Sequence, residues 1–275
     1  VPGPRLTPEM REPILSMRMQ GSRSAGRGRA AAGTLERGLR LLVLLATEPD
    51  PMTVTELGLR LRVPVSTVYR YLAPLLDHGL VRRVGRDGRY AVGPRAVTLW
   101  AAFRRNMDLV AAARPTMEQL CRQTQETVLL TVVVGNRAMC VETVESPLPI
   151  HYSFRPGVDR PLYAGASAKA LLAFLDARQV QEILEEARER APHLYAGLPQ
   201  ALQQIRADGY VVTQGEVDPD AWAVGVPLFG EAGVLEGALS LVAPAFRTGP
   251  DRAPGLVRCT VQAAREIEQR LRGAG

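Results

Sequence analysis

Eight side chains between residues 66 and 89 suit the gripping of a polyanion. Ser66, Thr67, Tyr69 and Arg70 follow Pro64, and Arg82, Arg83, Arg86 and Arg89 follow a glycine at 79. The two hydroxyls can bond phosphates or base edges, and the Arg70 fork can reach a guanine in bidentate fashion. Tyr69 can bond a phosphate or pack on a thymine methyl. Any one of these arginines alone reads as a solvated charge. Four in eight residues, behind a helix of this type, read together as phosphate contacts. Catalytic patterns are weaker. Ser167 and Lys169 stand two apart, which allows Ser–Lys chemistry on paper, but Gly165-Ala166-Ser167-Ala168-Lys169 lacks the second glycine of a nucleophile elbow. A helix-capping serine and a surface lysine are the default. His78, His151 and His193 have no ligand partner at i+3 or i+4, and no CxxC or phosphate-cradling glycine motif occurs. Glu142, Glu145 and Glu216 form no acid–base spacing and default to sheet-edge or surface roles. No catalytic residue, metal site or cofactor is assigned.

The elements that must position the polyanion residues are short and well punctuated. Leu35, Leu39, Leu42, Leu45 and Ala46 fall at helical spacing behind Thr34 as N-cap. Thr53 caps a second helix, with Glu56 three residues on as a capping box. A third helix runs from Val65 to about His78, with Val68, Leu72, Leu75 and Leu76 inward; Pro74 inside it predicts a bend. Gly79 ends it. Residues 80–84 and 89–92 read as two strands around Gly85-Arg86-Asp87-Gly88. Three helices and a basic hairpin describe a winged helix-turn-helix over residues 34–93. A linker helix follows over 94–111, and another helix starts near Pro115. Strands are expected at 127–134, 138–145, 150–154, 210–214, 221–229 and 234–242, and helices at 166–175, 178–190, 199–207 and 252–272. Hairpin-length links make this second domain, 112–273, a mixed α/β (α+β) unit with a mostly antiparallel sheet.

Charge follows the same division. Residues 1–100 carry 16 Arg against 8 acidic residues, a net of +8, while the rest carries 18 basic against 20 acidic, a net of −2. A basic front half points to a polyanion partner. Only Lys169 among the 34 basic residues is lysine, so the arginine preference reflects genome composition as readily as phosphate binding. Residues 1–33, rich in Pro, Gly, Ser and Arg, read as a disordered basic tail, either touching phosphates non-specifically or merely solvated. No apolar segment follows Arg5, Arg11 and Arg18, so the start does not read as a secretory signal, and no run is long enough to span a membrane. Three scattered cysteines fit a reducing cytoplasm.

Taken in order, residues 33–42, Thr55-Glu56-Leu57, 63–72, 78–81 and 88–93 resemble the DNA-binding domain of the IclR family of bacterial transcription regulators. Residues 160–173, 205–210, Glu216, 226–229 and 238–240 resemble that family's second domain. The resemblance covers about 33–272. It implies a GAF-like effector domain, with an antiparallel sheet carrying helices on one side and a pocket on the other. It also implies a homodimer or homotetramer on a palindromic duplex operator, and a small organic or aromatic acid as effector. By the same resemblance the pocket is lined by Gly165, Ala166 and Ser167, and by strands holding Thr213, Glu216 and Ala223. Backbone N–H groups after Gly165 would favour a carboxylate. Three positions depart from the family: Ala168 replaces a Gly, Asp220 replaces a Gly, and Ala223 replaces a polar residue or Cys. With Trp222 nearby, Ala223 predicts a less polar wall. The competing reading is an enzyme that acts on a small acid in this pocket, with the helix-turn-helix as a docking module.

Overall fold

The computed structural model describes residues 27–85, 87–106 and 108–273, in two compact units that divide between Gly93 and Pro94. The first unit holds α1 (Arg27–Thr47), α2 (Val54–Leu61), α3 (Val65–Asp77) and the antiparallel hairpin β1 (Val81–Val84) with β2 (Arg89–Val92). The capping box forms as expected. Glu56 N–H donates to Thr53 Oγ1 at 3.3 Å, and Thr53 N–H donates to the Glu56 carboxylate at 2.6 Å. Helix α1 differs from its expectation. It already runs at Arg27, so Thr34 lies inside it and residues 27–33 of the expected tail are helical; residues 1–26 fall outside the described residues. Its buried face is Leu41 and Leu45, whereas Leu35 and Leu39 are 66% and 52% exposed. The helical period alone cannot say which of two apolar stripes meets the core. That core joins Leu41 and Leu45 to Leu57, Val68, Tyr71, Leu72, Val81 and Tyr90. Pro74 is tolerated within α3, where it leaves the Arg70 carbonyl without its helical donor. Gly79 follows at φ 67°.

The second unit begins with α4 (Ala96–Asn106) and α5 (Asp108–Thr124). Pro115 lies within α5 instead of starting a helix, and the expected linker end at 111 falls inside α5 too. Leu109, Val110, Ala113, Met117 and Leu120 of α5 are all buried against the sheet, and this packing outweighs one missing hydrogen bond. The sheet contains β3 (Thr127–Val134), β4 (Arg137–Val144), β5 (Asp159–Pro161), β6 (Val211–Gln214), β7 (Ala221–Phe229) and β8 (Leu235–Pro244). Its order is β5-β4-β3-β8-β7-β6, antiparallel throughout. Between β5 and β6 run α6 (Ala166–Leu172), α7 (Ala177–Arg190), α8 (Pro192–Tyr195) and α9 (Leu198–Asp208); α10 (Ala253–Gly273) closes the chain's described part.

Strand alternation divides the two faces. Trp222, Val224, Val226 and Leu228 of β7 and Leu239 and Leu241 of β8 pack with α5 and α10. Ala223 and Val242 face the other way, with Leu129, Cys140 and Ala166. Trp222 is therefore not part of the pocket wall. Nor is the pocket face free of helices, because α6, α7 and α9 share a second core with Ala138 and Ala238.

Residues 150–154 form no strand. Pro147, Pro149 and Pro156 withhold donors, and the segment's carbonyls go to side chains instead of a ladder. Ile150 C=O accepts from Arg247 Nη1 at 2.6 Å, and Tyr152 C=O accepts from Thr127 Oγ1 at 2.7 Å.

Candidate functional site

The expected DNA-facing residues separate into groups once placed. Ser66 and Thr67 occupy the first turn of α3, whose N-cap Pro64 supplies no side-chain cap. The Thr67 N–H donates to the Pro64 carbonyl at 2.9 Å, so the helix start offers the Val65 and Ser66 N–H groups beside the two hydroxyls, a geometry that suits a phosphate oxygen. Tyr69 and Arg70 are exposed on the same helix. The Arg70 guanidinium leans over the Tyr71 ring, 5.6 Å from its centroid. On the hairpin, Arg82 is exposed, while its neighbour Arg83 turns to the other face, 5.9 Å from the Tyr90 ring. Arg86 lies outside the described residues. Arg89 is diverted: its Nη1 donates to the Pro51 carbonyl at 2.9 Å and lies 3.5 Å from Glu56 Oε2. It ties the wing to the start of α2 and does not stand in the cluster its spacing suggested. Glu56 is held below the ordinary carboxylate range, first by the Thr53 backbone N–H and then by its hydroxyl.

In the second unit a cavity of about 570 Å³ opens on the pocket face of the sheet. Gly165, Ala166, Ser167, Thr213, Glu216 and Ala223 all line it, although up to 58 residues separate them. Two glycines make this possible. Gly165, at φ 88°, is the N-cap of α6, a position Ser167 was expected to hold. Gly225 on β7 lets the first turn of α6 settle on the sheet; a Cβ there would stand 2.5 Å from the Ala166 carbonyl.

The charges in this cavity are already engaged. Lys169, expected at the surface, is 6% exposed, and its Nζ meets Glu216 Oε1 at 2.5 Å. The other Glu216 oxygen accepts the Gly165 N–H at 3.1 Å. Glu216 is thus the carboxylate at that N–H, and its role is neither surface nor sheet edge. Tyr152 donates to Asp218 at 3.0 Å, and Asp218 also accepts the Asp220 N–H at 3.0 Å, which accounts for the unusual Asp218-Pro219-Asp220 loop. Burial, then Asp218, pushes the Tyr152 phenol up to about 12; burial pushes the Cys140 thiol up to about 11. Both therefore stay neutral near pH 7. Ser240 Oγ, on the cavity floor, is buried without a hydrogen-bond partner among the described residues. Phe154 forms part of the wall, with Arg160 5.8 Å from its ring. No cluster of three or more metal-ligating side chains occurs among the described residues.

The model for the IclR helix-turn-helix domain matches residues 34–85, and that for the bacterial transcriptional regulator IclR C-terminal domain matches residues 101–269. The chain belongs to the IclR family of transcription regulators. It is 32% identical over 253 residues to the HTH-type transcriptional regulator BhcR of Paracoccus denitrificans, covering 89% of this chain and 90% of that one. The HTH-type transcriptional regulator KdgR of Escherichia coli is 30% identical, over 82% of this chain and 87% of its own. An IclR homolog from Microbacterium hydrocarbonoxydans, solved with 4-hydroxybenzoate, superposes with a TM-score of 0.73 at 26% identity, over 87% of this chain and 99% of that one. Among the described residues of this IclR-family regulator, no helix is long and apolar enough to cross a membrane.

Several residues of the site escaped sequence reasoning. Glu216 was named for the pocket and Lys169 for its place beside Ser167, but their pairing was not, because two residues 47 apart have no local signature. Tyr152 and Phe154 lie in the segment expected as a strand, and Asp218 in an irregular loop, and nothing local marks any of them as a cavity residue. Gly225 was the one available signal: a glycine inside a strand marks close backbone approach.

Proposed function

We propose that this regulator binds a duplex operator through α3 and its basic hairpin, and that a small organic or aromatic acid in the cavity of the second unit controls that binding. Ser66, Thr67, Tyr69, Arg70, Arg82 and Arg83 are the DNA contacts on the described surface, with Arg86 at the hairpin tip added from the sequence. The working form is a homodimer or homotetramer on a palindromic site, which sedimentation of the DNA complex would check. The observation that carries the effector reading is the cavity itself. It is mostly apolar, closed on one side by the first turn of α6, and holds a buried hydroxyl, Ser240, with no hydrogen-bond partner among the described residues. The neighbour's 4-hydroxybenzoate is a ligand of that chemistry. Glu216 would repel an anion at Gly165, so the acid group belongs toward the arginine-bearing rim at Arg155 and Arg160. The ring or chain then lies along Ala223. Control requires that the ligand bind one arrangement of the protein better than another. The expected linker over 94–111, whose first part is α4 at the start of the second unit, is the covalent route.

A thermal-shift screen of single acids, with 4-hydroxybenzoate among them, would find the ligand through its stabilisation of the folded state. Ala223→Trp should then abolish the effect of any stabilising acid on DNA affinity, while affinity without ligand stays near wild type. A ligand response that survives this substitution places the effector elsewhere.

A further inference from the structure

Tyr71 is 2% exposed, and its hydroxyl has no hydrogen-bond partner among the described residues. Buried hydroxyls nearly always find one. What surrounds this one is unusual. The Arg70 guanidinium lies 5.6 Å from the ring centroid, and the Arg37 guanidinium reaches the same hydroxyl from α1. Arg37, with Arg70 adding to it, pulls the phenol below its ordinary range against the effect of burial. Both guanidiniums stand as donors toward the phenol oxygen, without closing a hydrogen bond of ordinary geometry. Guanidiniums are also donors only, so nothing nearby accepts the phenol proton. Neither arginine makes an ion pair among the described residues, and the nearest carboxylate on α1, Glu36, is taken by Arg40 at 2.6 Å.

Two cations thus converge on a buried phenol oxygen whose proton has no acceptor among the described residues. The complement is an anion with at least two oxygens, able to take an arginine fork and the phenol proton together. Both arginines are exposed. They cover the hydroxyl with mobile side chains, whose rearrangement on the nanosecond scale opens a path to it. We propose that Arg37, Arg70 and Tyr71 Oη form a clamp for one backbone phosphate of duplex DNA, a site spanning α1 and α3. The proposal rests on the DNA-binding reading above. It changes the role of Arg70 from a reader of guanine to a backbone contact, and adds Arg37 and Tyr71, which sequence reasoning did not single out.

A backbone contact acts on any sequence, so the probe is a random-sequence DNA duplex, with affinity followed by fluorescence anisotropy on the full chain from 50 to 200 mM KCl. Arg37→Gln should weaken binding and lower the salt slope by about 0.9 per bound protomer, the effect of one phosphate. Tyr71→Phe should weaken binding about fivefold, the loss of one hydrogen bond, with the slope unchanged and the melting temperature equal or higher. Wild-type affinity in Tyr71→Phe, or a wild-type slope in Arg37→Gln, overturns the clamp while leaving the DNA-binding reading intact. A melting temperature that falls in Tyr71→Phe without a change in affinity also overturns it, because the hydroxyl then serves only the fold. A wild-type chain that does not bind the duplex overturns both.

Discussion

The two units of this regulator treat charge in opposite ways. On the helix-turn-helix face, Arg70 and Arg82 are exposed and have no carboxylate partner among the described residues. In the cavity, Lys169 pairs with Glu216, Tyr152 bonds Asp218 and Ser153 bonds Glu145. On the function proposed above, the difference follows from the ligands. A polyanion is held by many unpaired cations, each releasing a counterion, so that face is most effective when left unsatisfied. A small effector must be told from water and from other metabolites, so its cavity satisfies its own polar groups and leaves few positions open. Ser240 is one such position. Arg89 marks the boundary between the two styles: it sits in the basic hairpin, yet it is spent on the Pro51 carbonyl and Glu56.

The contrast can be broken most decisively by salt. If the exposed arginines carry DNA binding with about 6–10 phosphates per dimer, affinity should fall by roughly 10³–10⁵ between 50 and 200 mM salt. An affinity that stays flat over that range would show that the free cations are not the source of binding.

The next effect belongs to the cavity. Glu216→Gln leaves the Lys169 ammonium buried without its counter-charge and should destabilise the second unit by about 3 kcal/mol. That is the low end for a broken buried pair, because Glu216 keeps some solvent contact. Chemical denaturation would measure it. A loss within a few tenths of a kcal/mol would mean that the cavity's charges are not mutually dependent.

Smaller still is the difference between two arginines of one hairpin. Arg89→Ala should cost about 1 kcal/mol of stability, a charge-assisted hydrogen bond discounted for its half-exposed site. Arg82→Ala should leave stability unchanged and weaken DNA binding. Melting curves and binding isotherms on both variants would sharpen the line between structural and DNA-facing cations, and equal behaviour would erase it.

The smallest effect is a pH dependence in the capping box. The folded-state pKa of Glu56 lies below its unfolded value, so the box stabilises above the ordinary carboxylate pKa of about 4.3 and loses that contribution as pH falls through the folded value. The melting-temperature gap between wild type and Glu56→Gln should therefore be present at pH 7 and close on acidification. A gap that persists in acid would remove Glu56 ionisation from the account.

Much of this architecture was legible in the chain because it is local. The Thr53–Glu56 box involves four consecutive residues, and the strands at 127–134 and 221–229 coincide with β3 and β7 because β-branched, alternating runs have one comfortable conformation. The ordering of motifs also identified the six cavity-lining positions, though as a family likeness and not from their chemistry. What the chain could not disclose is long-range. Pro115 looks like a start signal, yet α5 passes through it because its buried face holds against the sheet. Residues 150–154 look like a strand, but their carbonyls go to Thr127 and Arg247. By itself the sequence determined the helix-turn-helix, the antiparallel sheet and the asymmetry of charge, since periodicity and composition act between near neighbours. Only the tertiary structure decided that Glu216 would meet Lys169 and Gly165, that Arg89 would leave the basic face, and that Arg37 would reach Tyr71. Such pairings depend on which surfaces meet when helices and strands pack, and a lone Lys, Glu, Arg or Tyr carries no local mark of its distant partner.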